Sequence, residues 1–372
     1  MAYTTIDDPS KYFHIQLYNG NNLTTQTITN DANSGDFQAD WLWIKNRDDV
    51  EQHHLMDSNR GANKFLHSNS TDDEREGSYN GGHNDINAFG SNGFTITSNG
   101  SGDELNFGTR TYVAWQWKAN GGTTTTNDAS STGVGTIDSV YQANTTAGFS
   151  IVTYTGTNAA GTIAHGLGAV PDLIITKNRV SANSWAVYHS SNTSAPETDF
   201  VLLNTTDGTV DNANRWNDTA PTSTVFSVKQ SAETNNSDNS DTFVAYAFTS
   251  IQGYSKFGSY KGNGNADGPF IYTGFKPKYF VLKNVTASSG SGGQHWQISD
   301  TERHPNNPLD LTLFVEDNAA EGGTWSIKDF LSNGVKIRGS NYAMNYSGDT
   351  YIYMAFAEHP FVSSKGVPVT AR

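Results

Sequence analysis

WIKNR at residues 43–47 returns as ITKNR at 175–179 and as VLKNV at 281–285. Each copy is followed by a second matching phrase: TYVAW at 111–115, TFVAY at 242–246 and TYIYM at 350–354. From the lysine to the first aromatic residue of the second phrase, the separation is 67, 66 and 68 residues. Three such coincidences predict a tandem array of one β-rich unit. Repetition of a whole unit favours a binding or structural role over catalysis at a single centre.

Other features of the three units point to the same fold class. Each unit opens with an aromatic-led strand that ends in a turn, at Asn19-Gly20, Thr155-Gly156 and Lys261-Gly262. Aromatic and β-branched residues dominate the candidate strands, which are separated by glycine and asparagine turn signals. The sequence therefore predicts an all-β protein of three tandem antiparallel β-sandwich domains with very little helix.

The repeat also predicts the domain boundaries. An N-terminal arm at 1–11 precedes β-sandwich repeat 1 at 12–118, a Gly/Thr/Ser-rich linker at 119–147, repeat 2 at 148–250, repeat 3 at 254–360 and a C-terminal tail at 361–372. The linker has too few apolar residues to order itself alone, although residues 137–141 could lie extended against a neighbour. We therefore expect the first unit to swing or to lean elsewhere, while the three residues at 251–253 keep the second and third packed in a fixed relation.

Composition excludes several classes of partner and site. The formal net charge is −14 and the 23 Lys and Arg residues are scattered, which argues against nucleic acid and against anionic membranes. No run approaches the ~20 apolar residues of a membrane-spanning helix, so we expect no membrane insertion. The absence of cysteine excludes disulfides and thiolate sites. The first residues do not read as a secretory signal, which predicts synthesis in a cytoplasm.

The residues that could carry chemistry have simpler structural interpretations. We expect the repeated Lys45, Lys177 and Lys283 to extend over their own core or to pair with a carboxylate of the same unit. Asn263 to Gly268 follows the first half of a calcium loop, but Gly274 stands where the pattern requires glutamate, which favours a hairpin turn. No histidine has the spacing of a zinc site, and we expect no metal and no cofactor.

Nothing in the chain reads as an active site. Carboxylates cluster at 72–76 and at 103–104, yet neither cluster recurs in the other units. There is no Gly-x-Ser-x-Gly elbow and no phosphate-binding loop. We therefore predict that the protein is not an enzyme.

Tryptophans provide the best candidates for contact with a ligand or partner. Four of them alternate along two strands of the first unit and are expected in a core: Trp41, Trp43, Trp115 and Trp117. Trp216 and Trp325 instead lie in polar segments, where an aromatic ring beside amides can stack on a sugar or fill a partner's pocket. We predict that at least one of these two residues touches a ligand or another subunit.

Longer phrases carry a resemblance to a known class of protein. They are GFSIVTYTG at 148–156, IAHGLGAVPDLII at 163–175, GYSKFGSYKGNG at 253–264, DGPFIYTGF at 267–275 and YIYMAFAEHPF at 351–361. In these phrases the chain resembles virion proteins of tailed phages, especially marine ones, that are described as tail fibre or structural proteins. The resemblance covers the second and third units well and the first more loosely. It implies membership of the virion and supplies no catalytic residues.

The resemblance implies a non-enzymatic virion structural protein, in the tail fibre or receptor-binding apparatus, that makes multivalent contacts with the host surface. Its expected location is the exterior of the tail or capsid, after synthesis in the host cytoplasm. Expected partners are other virion proteins, copies of itself (a homotrimer is favoured) and a host surface glycan or protein. Two alternatives stay open: a capsid or tail decoration protein of the head-fibre kind, and a glycan-degrading tailspike.

Overall fold

The computed structural model of the chain describes residues 3–31, 36–76, 85–97, 104–236, 240–286, 294–323 and 326–369. Within these ranges the protein is all-β, as predicted, with ladders of antiparallel strands. Apart from one short α-helix, the described helical segments are the 3-10 turns Pro9–Lys11 and Pro196–Thr198.

The first unit and the segment after it contain the first eleven strands in chain order. The strands of the first unit are β1 (Phe13–Asn19), β2 (Thr25–Thr29), β3 (Trp41–Asn46), β4 (His54–Asp57), β5 (Lys64–Phe65), β6 (Arg75–Glu76), β7 (Asp85–Gly90), β8 (Gly93–Thr97) and β9 (Thr111–Trp117). The following segment carries β10 (Thr125–Asn127), α1 (Ala129–Thr132) and β11 (Ser139–Asn144).

The second and third units continue the series. In the second lie β12 (Phe149–Thr155), β13 (Gly161–Ala164), β14 (Leu173–Asn178), β15 (Ala186–His189), β16 (Asp199–Leu202), β17 (Val210–Asp211), β18 (Val225–Val228) and β19 (Thr242–Phe248). In the third lie β20 (Ser255–Lys261), β21 (Phe270–Tyr272), β22 (Phe275–Asn284), β23 (Trp296–Asp300), β24 (Leu313–Phe314), β25 (Lys328–Leu331), β26 (Gly334–Ile337) and β27 (Thr350–Pro360).

Each unit contributes a large sheet with one strand order: opening strand, closing strand, lysine strand, middle strand. The three orders are β1-β9-β3-β4, then β12-β19-β14-β15 inside the longer sheet that runs from β10 to β17, and β20-β27-β22-β23-β24. Each unit also has a small sheet, β2-β8-β7, β13-β18 or β21-β26-β25. The repeat seen in the sequence therefore recurs in the order of the strands, and the arrangement is β-sandwich-like.

The lysine strands are buried on both faces, and their residues alternate between two clusters. Trp41 and Trp43 of β3 lie in a cluster shared by all three units, whereas Leu42 and Ile44 lie in a cluster of the first unit alone. Strands β14 and β22 follow the same rule. A strand that is covered on both faces needs apolar residues at successive positions. This explains why each lysine strand has a run of consecutive apolar residues ahead of its lysine: 41–44 in β3, 173–175 in β14 and 279–282 in β22.

The shared cluster joins the three large sheets through aromatic contacts. Trp41 of the first unit stacks on Tyr246 of the second with ring centroids 4.4 Å apart. Phe356 of the third unit lies 5.0 Å from Phe13 of the first and 5.9 Å from Phe248 of the second. The four tryptophans expected in a core are buried here, and the core belongs to all three units. The first unit therefore does not swing apart from the others, because its large sheet packs against both of them.

The segment 119–147 is also not the bare linker that its composition suggested. The carboxylate of Asp128 accepts bonds from Ser130 N and Ser131 N at 3.0 and 3.1 Å, which caps α1. Strand β11 pairs with β12 along its whole length, so this segment extends the large sheet of the second unit. Among the described residues no helix has the length and apolar character needed to span a membrane.

The opening turn of every unit is held against the loop that precedes the closing strand. A buried asparagine of that loop accepts a bond from the backbone of the turn, and its amide donates back; the residues are Asn106, Asn235 and Asn345. A Cβ on Gly20 would lie 2.1 Å from Phe107 O, and one on Gly156 would lie 1.9 Å from Asn236 O. The repeated glycines are therefore required by the close approach of two backbones.

Candidate functional site

The repeated lysines lie inside the protein rather than over its surface. Lys45, Lys177 and Lys283 are completely buried, and burial lowers the pKa of each to about 8. In two units the ammonium reaches a backbone carbonyl of the preceding unit: Lys177 donates to Thr71 O at 3.1 Å and Lys283 to Thr206 O at 2.9 Å. The expectation that the lysines extend over their own core or pair with a carboxylate of their own unit is therefore corrected for Lys177 and Lys283, which fasten one unit to the next. Lys45 stays within its unit and donates to the backbone carbonyls of Asn46 and Asp49.

A substitution of Lys177 measures this contact. We expect Lys177→Ala to lower the free energy of unfolding by about 1–3 kcal/mol, because Thr71 O and Asn183 O lose their donor inside the protein. Binding of the folded variant to particles or cells should stay intact. Chemical denaturation and a particle- or cell-binding assay measure the two quantities, with the exposed Lys11→Ala as the control. Unchanged stability with lost binding would overturn the structural role.

A second contact recurs between neighbouring units. An aromatic ring nitrogen at the start of the middle strand donates to a backbone carbonyl of another unit, at 2.8–2.9 Å. The three bonds are His53 Nε2 to Phe314 O, Trp185 Nε1 to His67 O and Trp296 Nε1 to Leu202 O. They run from the first unit to the third, from the second to the first and from the third to the second, so the contacts form a closed ring.

A backbone bond accompanies each ring-nitrogen bond and closes the same circuit. The three bonds are Glu74 N to Arg179 O at 2.9 Å, Thr209 N to Val285 O at 2.9 Å and Glu321 N to Arg47 O at 2.8 Å. All three acceptors follow the repeated Lys-Asn by one residue. The residue that ends each repeated pentapeptide is thus an anchor point for the neighbouring unit.

Two of the three unit boundaries carry a bridge of two arginines and one glutamate. Glu74 pairs with Arg60 of its own unit at 2.9 Å and with Arg179 of the second unit at 2.7 Å. Burial alone would raise the pKa of Glu74, but the two guanidinium groups lower it to about 2. At the boundary between the third and first units, Glu321 pairs in the same way with Arg303 and Arg47, at 2.7 Å each.

The remaining boundary, between the second and third units, uses neutral groups at the same places. Asn192 stands where the other units have an arginine, and its side chain accepts from Thr209 Oγ1 at 2.7 Å. Thr209 stands in the place of the glutamate and donates its backbone N–H to Val285 O. The ring is therefore closed by two ionic bridges and one neutral contact.

One further buried lysine lies beside two serines in the third unit. Lys328 Nζ is 2.7 Å from both Ser299 Oγ and Ser326 Oγ. A lysine so placed can act as a base toward a serine hydroxyl, but a substrate would have to reach the pair. All three side chains are fully buried or nearly so, so the group is closed to substrate and its role is structural.

Lys328 should make stability depend on pH. Burial, together with the charge of Arg303, lowers its pKa from 10.5 to about 7. Between these two pH values Lys328 is protonated in the unfolded chain but not in the folded protein. A falling pH therefore favours the unfolded chain, and the free energy of unfolding decreases as the pH falls from about 10 to about 7. Lys328→Met removes this dependence. We compare the free energy of unfolding of the variant with that of the wild type at each pH. This difference should be about 2 kcal/mol more favourable to the variant at pH 7 than at pH 9.

Denaturant titrations at the two pH values measure this difference. The partly exposed Lys64→Met provides the control, and its difference from the wild type should be the same at both pH values. An equally constant difference for Lys328→Met would contradict the assignment.

Of the two tryptophans predicted to touch a ligand, Trp216 is buried and Trp325 lies outside the described residues. Trp216 packs edge-to-face on Tyr188, with centroids 5.9 Å apart, inside the cluster of the second unit. The next two residues, Asn217 and Asp218, have positive φ angles of 55° and 45° and turn the chain at this point. The ring of Trp216 is therefore covered by its own unit, and contact of either loop with a ligand or another subunit stays a prediction.

The segment that resembled half a calcium loop is a series of side-chain-capped turns. Asn263 Oδ1 accepts from Asn265 N, and Asn265 Oδ1 accepts from Asp267 N, both at 2.9 Å. Asp267 pairs with Lys336 at 2.8 Å. Across the described ranges, no group of three or more histidine or carboxylate side chains is placed to hold a metal ion.

The third unit contains an open cleft of about 550 Å³, a size that suits a small ligand. Its lining combines hydrogen-bonding groups with an apolar floor and includes Thr301, Asn306, Leu309, Phe330, Ser332 and His359. Lys276 at its edge is paired with Glu358 at 2.8 Å. Apart from this paired lysine and the imidazole of His359, the lining consists of amide, hydroxyl and apolar groups, which suit an uncharged polar ligand better than a strongly charged one.

The cleft lies where the third unit departs from the other two. In the first unit Asp40 precedes the lysine strand and accepts from Ala119 N and Gly121 N, at 2.7 and 2.8 Å. Asp172 of the second unit accepts from Ser250 N at 2.7 Å. The third unit has Lys278 at this place, and strands β22 and β27 continue to pair as far as Phe275 and Pro360.

Sequence reasoning missed the ring of contacts and the cleft. A signal for the ring existed, because His53 and Trp185 each follow the repeated lysine of their unit by eight residues. The cleft had no such signal, since its lining comes from separate segments with no common motif.

No curated protein and no solved structure matches the chain. One family model matches residues 8–360, a span that includes all three units. The chain therefore belongs to the DUF7483 family, whose description is a domain of unknown function.

Proposed function

We propose that the protein is a non-enzymatic structural component of a virus particle, in the tail fibre or receptor-binding apparatus of a tailed phage. It would be made in the host cytoplasm and carried on the exterior of the tail or capsid, with other virion proteins as partners. Several copies on one particle would add modest contacts with the host surface through avidity. We also propose that each unit is a β-sandwich domain made of one large and one small sheet.

One observation carries the structural part of this proposal. The polar residues at matching places in the three units hold the units together or hold their turns. Two of the three lysines and all three ring nitrogens reach across unit boundaries, and the buried asparagines fasten the opening turns. Polar residues that make such contacts at matching positions of the repeats stabilise the structure rather than form a ligand site. A rigid block with a largely uncharged polar surface suits a particle component exposed to solvent.

The resemblance of the second and third units to tailed-phage virion proteins supports the placement in a particle. The favoured homotrimer belongs to the same proposal. Sedimentation of the full chain tests it, and a mass of one chain at all concentrations would reject it. The ring of three units already gives a single chain a three-part core.

Imaging the assembled particle at a resolution that traces the chain tests the function. Density at the tail periphery with one end free is the expected result. Density lying flat on the shell or tail tube, with all three units in contact with it, would reject a role in host attachment and indicate a decoration protein. Absence of the chain from purified particles would reject both, and loss of host polysaccharide on incubation with the pure protein would reject the non-enzymatic role.

A further inference from the structure

The small sheet of the third unit differs from its two counterparts on the face that points away from the core. Pairing places Ile28, Ile163 and Ile271 at one repeat position, and all three are buried. The residues on either side lie on the opposite face. They are Thr27 and Thr29 in the first unit, Thr162 and Ala164 in the second, and Phe270 and Tyr272 in the third.

The two aromatic rings of the third unit are open to solvent. Phe270 is 45% exposed and Tyr272 is 50% exposed. The three-stranded small sheet of the first unit forms with two threonines at these positions, and the two-stranded sheet of the second with Thr162 and a buried Ala164, so the fold does not need aromatic rings there. The two rings lie side by side on one strand and so form an apolar patch rather than scattered apolar residues, and exposed apolar patches rimmed by polar groups mark binding surfaces.

The rings form the floor of a shallow surface with polar groups beside it. Phe270 lies against the backbone of Gly334, where an added Cβ would be 2.7 Å from Phe270 Cζ. Lys256 Nζ lies 5.3 Å from the centroid of the Tyr272 ring and donates to Tyr272 O at 3.1 Å. The hydroxyl of Tyr3 is 3.4 Å from that of Tyr272. Polar groups, namely the hydroxyls of Tyr3 and Tyr272 and the ammonium of Lys256, therefore lie beside the apolar rings.

This surface continues into the cleft of the third unit. Tyr272 pairs with Gly334, and Gly334 pairs with Leu331 on the other side, so the three positions form one row on the outer face. Leu331 and the next residue, Ser332, line the cleft. A ligand that covers the two rings can therefore extend across the glycine toward the amide, hydroxyl and imidazole groups of the cleft.

Size and chemistry select the kind of ligand. Two half-exposed rings offer on the order of 200 Å² of contact, far below the ~800 Å² per partner of a stable protein interface. They match the area of one or two sugar rings, whose C–H faces stack on aromatic rings while their hydroxyls take hydrogen bonds. A hydrogen-bonding cleft whose lysine is already paired with a glutamate fits the next sugar residues of such a chain.

We infer that the outer face of the third unit's small sheet binds a pyranose-containing saccharide, with the sugar stacked on Phe270 and Tyr272 and its chain directed into the adjoining cleft. This inference names the ligand class of the host contact proposed above and rests on that role. Binding by the isolated protein is nevertheless measured without any particle.

The test uses the full chain on an array of defined neutral and acidic oligosaccharides, followed by titration of the strongest binders. Phe270→Thr and Tyr272→Thr place in the third unit the residues that the first unit carries at Thr27 and Thr29, so the fold should be kept. We expect at least tenfold weaker binding for each variant, with an unchanged melting temperature. Phe107→Asn removes another exposed aromatic residue, as the second unit does with Asn236, and should bind like the wild type.

The outcomes separate this inference from the proposed function. No binding of the wild type to any saccharide, or full binding by the folded Phe270→Thr and Tyr272→Thr variants, overturns the inference. Sensitivity of saccharide binding to these two substitutions supports it, even if the chain is then found to be absent from particles. A chain traced in the particle but inert toward saccharides would leave the structural role standing and remove this site.

Discussion

Trp41→Ala is expected to lower the free energy of unfolding of the whole chain by about 3–5 kcal/mol, the cost of a large cavity in a packed core. The indole is fully buried, and its neighbours come from two units. Its ring centroid lies 4.5 Å from that of Trp117 in the first unit and 4.4 Å from that of Tyr246 in the second. The loss should therefore reach both units and appear in one shifted transition. Chemical denaturation, followed by both fluorescence and circular dichroism, measures it.

The control for Trp41→Ala is Leu23→Ala, which removes an exposed apolar side chain of the same unit and should change stability by at most about 0.5 kcal/mol. A loss below about 1 kcal/mol for Trp41→Ala would show that the cavity is tolerated. Separation of the fluorescence and circular dichroism transitions would show that the second unit does not depend on the first. Either result would contradict a core common to the units.

Asp57→Asn is expected to cost a similar amount, about 3–5 kcal/mol, because it removes a buried charge from an ionic contact while keeping its shape. Asp57 accepts from Arg60, which is itself buried, and from Tyr246 OH of the second unit at 2.7 Å. With a neutral amide in its place, the guanidinium keeps only Glu74 as an ionic partner. Urea denaturation at neutral pH measures the change.

An exposed ion pair provides the matched control for Asp57→Asn. Glu76→Gln breaks the contact between Glu76 and Lys64, which are 3.6 Å apart at the surface, and should cost at most about 1 kcal/mol. Equal effects of the two substitutions would mean that the contact of Asp57 with Arg60 and Tyr246 does not stabilise the boundary between the units. A decrease for Asp57→Asn that vanishes in the Asp57→Asn, Arg60→Met double variant would support the account, because the unpaired charge is then removed.

The repeat and the all-β class could be predicted because both depend on local pattern. Apolar runs that end in Lys-Asn, at one spacing from an aromatic strand, mark the same strand in each unit. Alternation along β3 and β9 also predicts that Trp41 and Trp43 share a face, as do Trp115 and Trp117. Their burial follows from that pattern.

What covers that face could not be predicted, because the partner lies far away in sequence. Nothing near Trp41 indicates that it stacks on Tyr246 of the second unit. The burial of the repeated lysines has the same cause, since Lys177 reaches Thr71 of another unit. A prediction made for each unit by itself therefore places every lysine within its own unit, and it gives the first unit no contact with the other two.

The candidate site was predicted less well than the fold. Polar neighbours placed Trp216 at the surface, but the direction of a loop depends on backbone turns such as those at Asn217 and Asp218, which composition does not reveal. The aromatic pair Phe270 and Tyr272 stands out only after strand pairing sets it beside its counterparts in the other units. The sequence shows the alternation of Phe270, Ile271 and Tyr272. Only the comparison of paired strands across the units shows that the other units have smaller residues where the two rings lie.

Differential scanning calorimetry of the full chain tests the central claim, that three repeated units share one core and form one cooperative structure. A shared core should unfold in a single transition whose calorimetric enthalpy equals its van't Hoff enthalpy. Two or three separable transitions, or a calorimetric enthalpy several times the van't Hoff value, would contradict it and describe independent domains on a string.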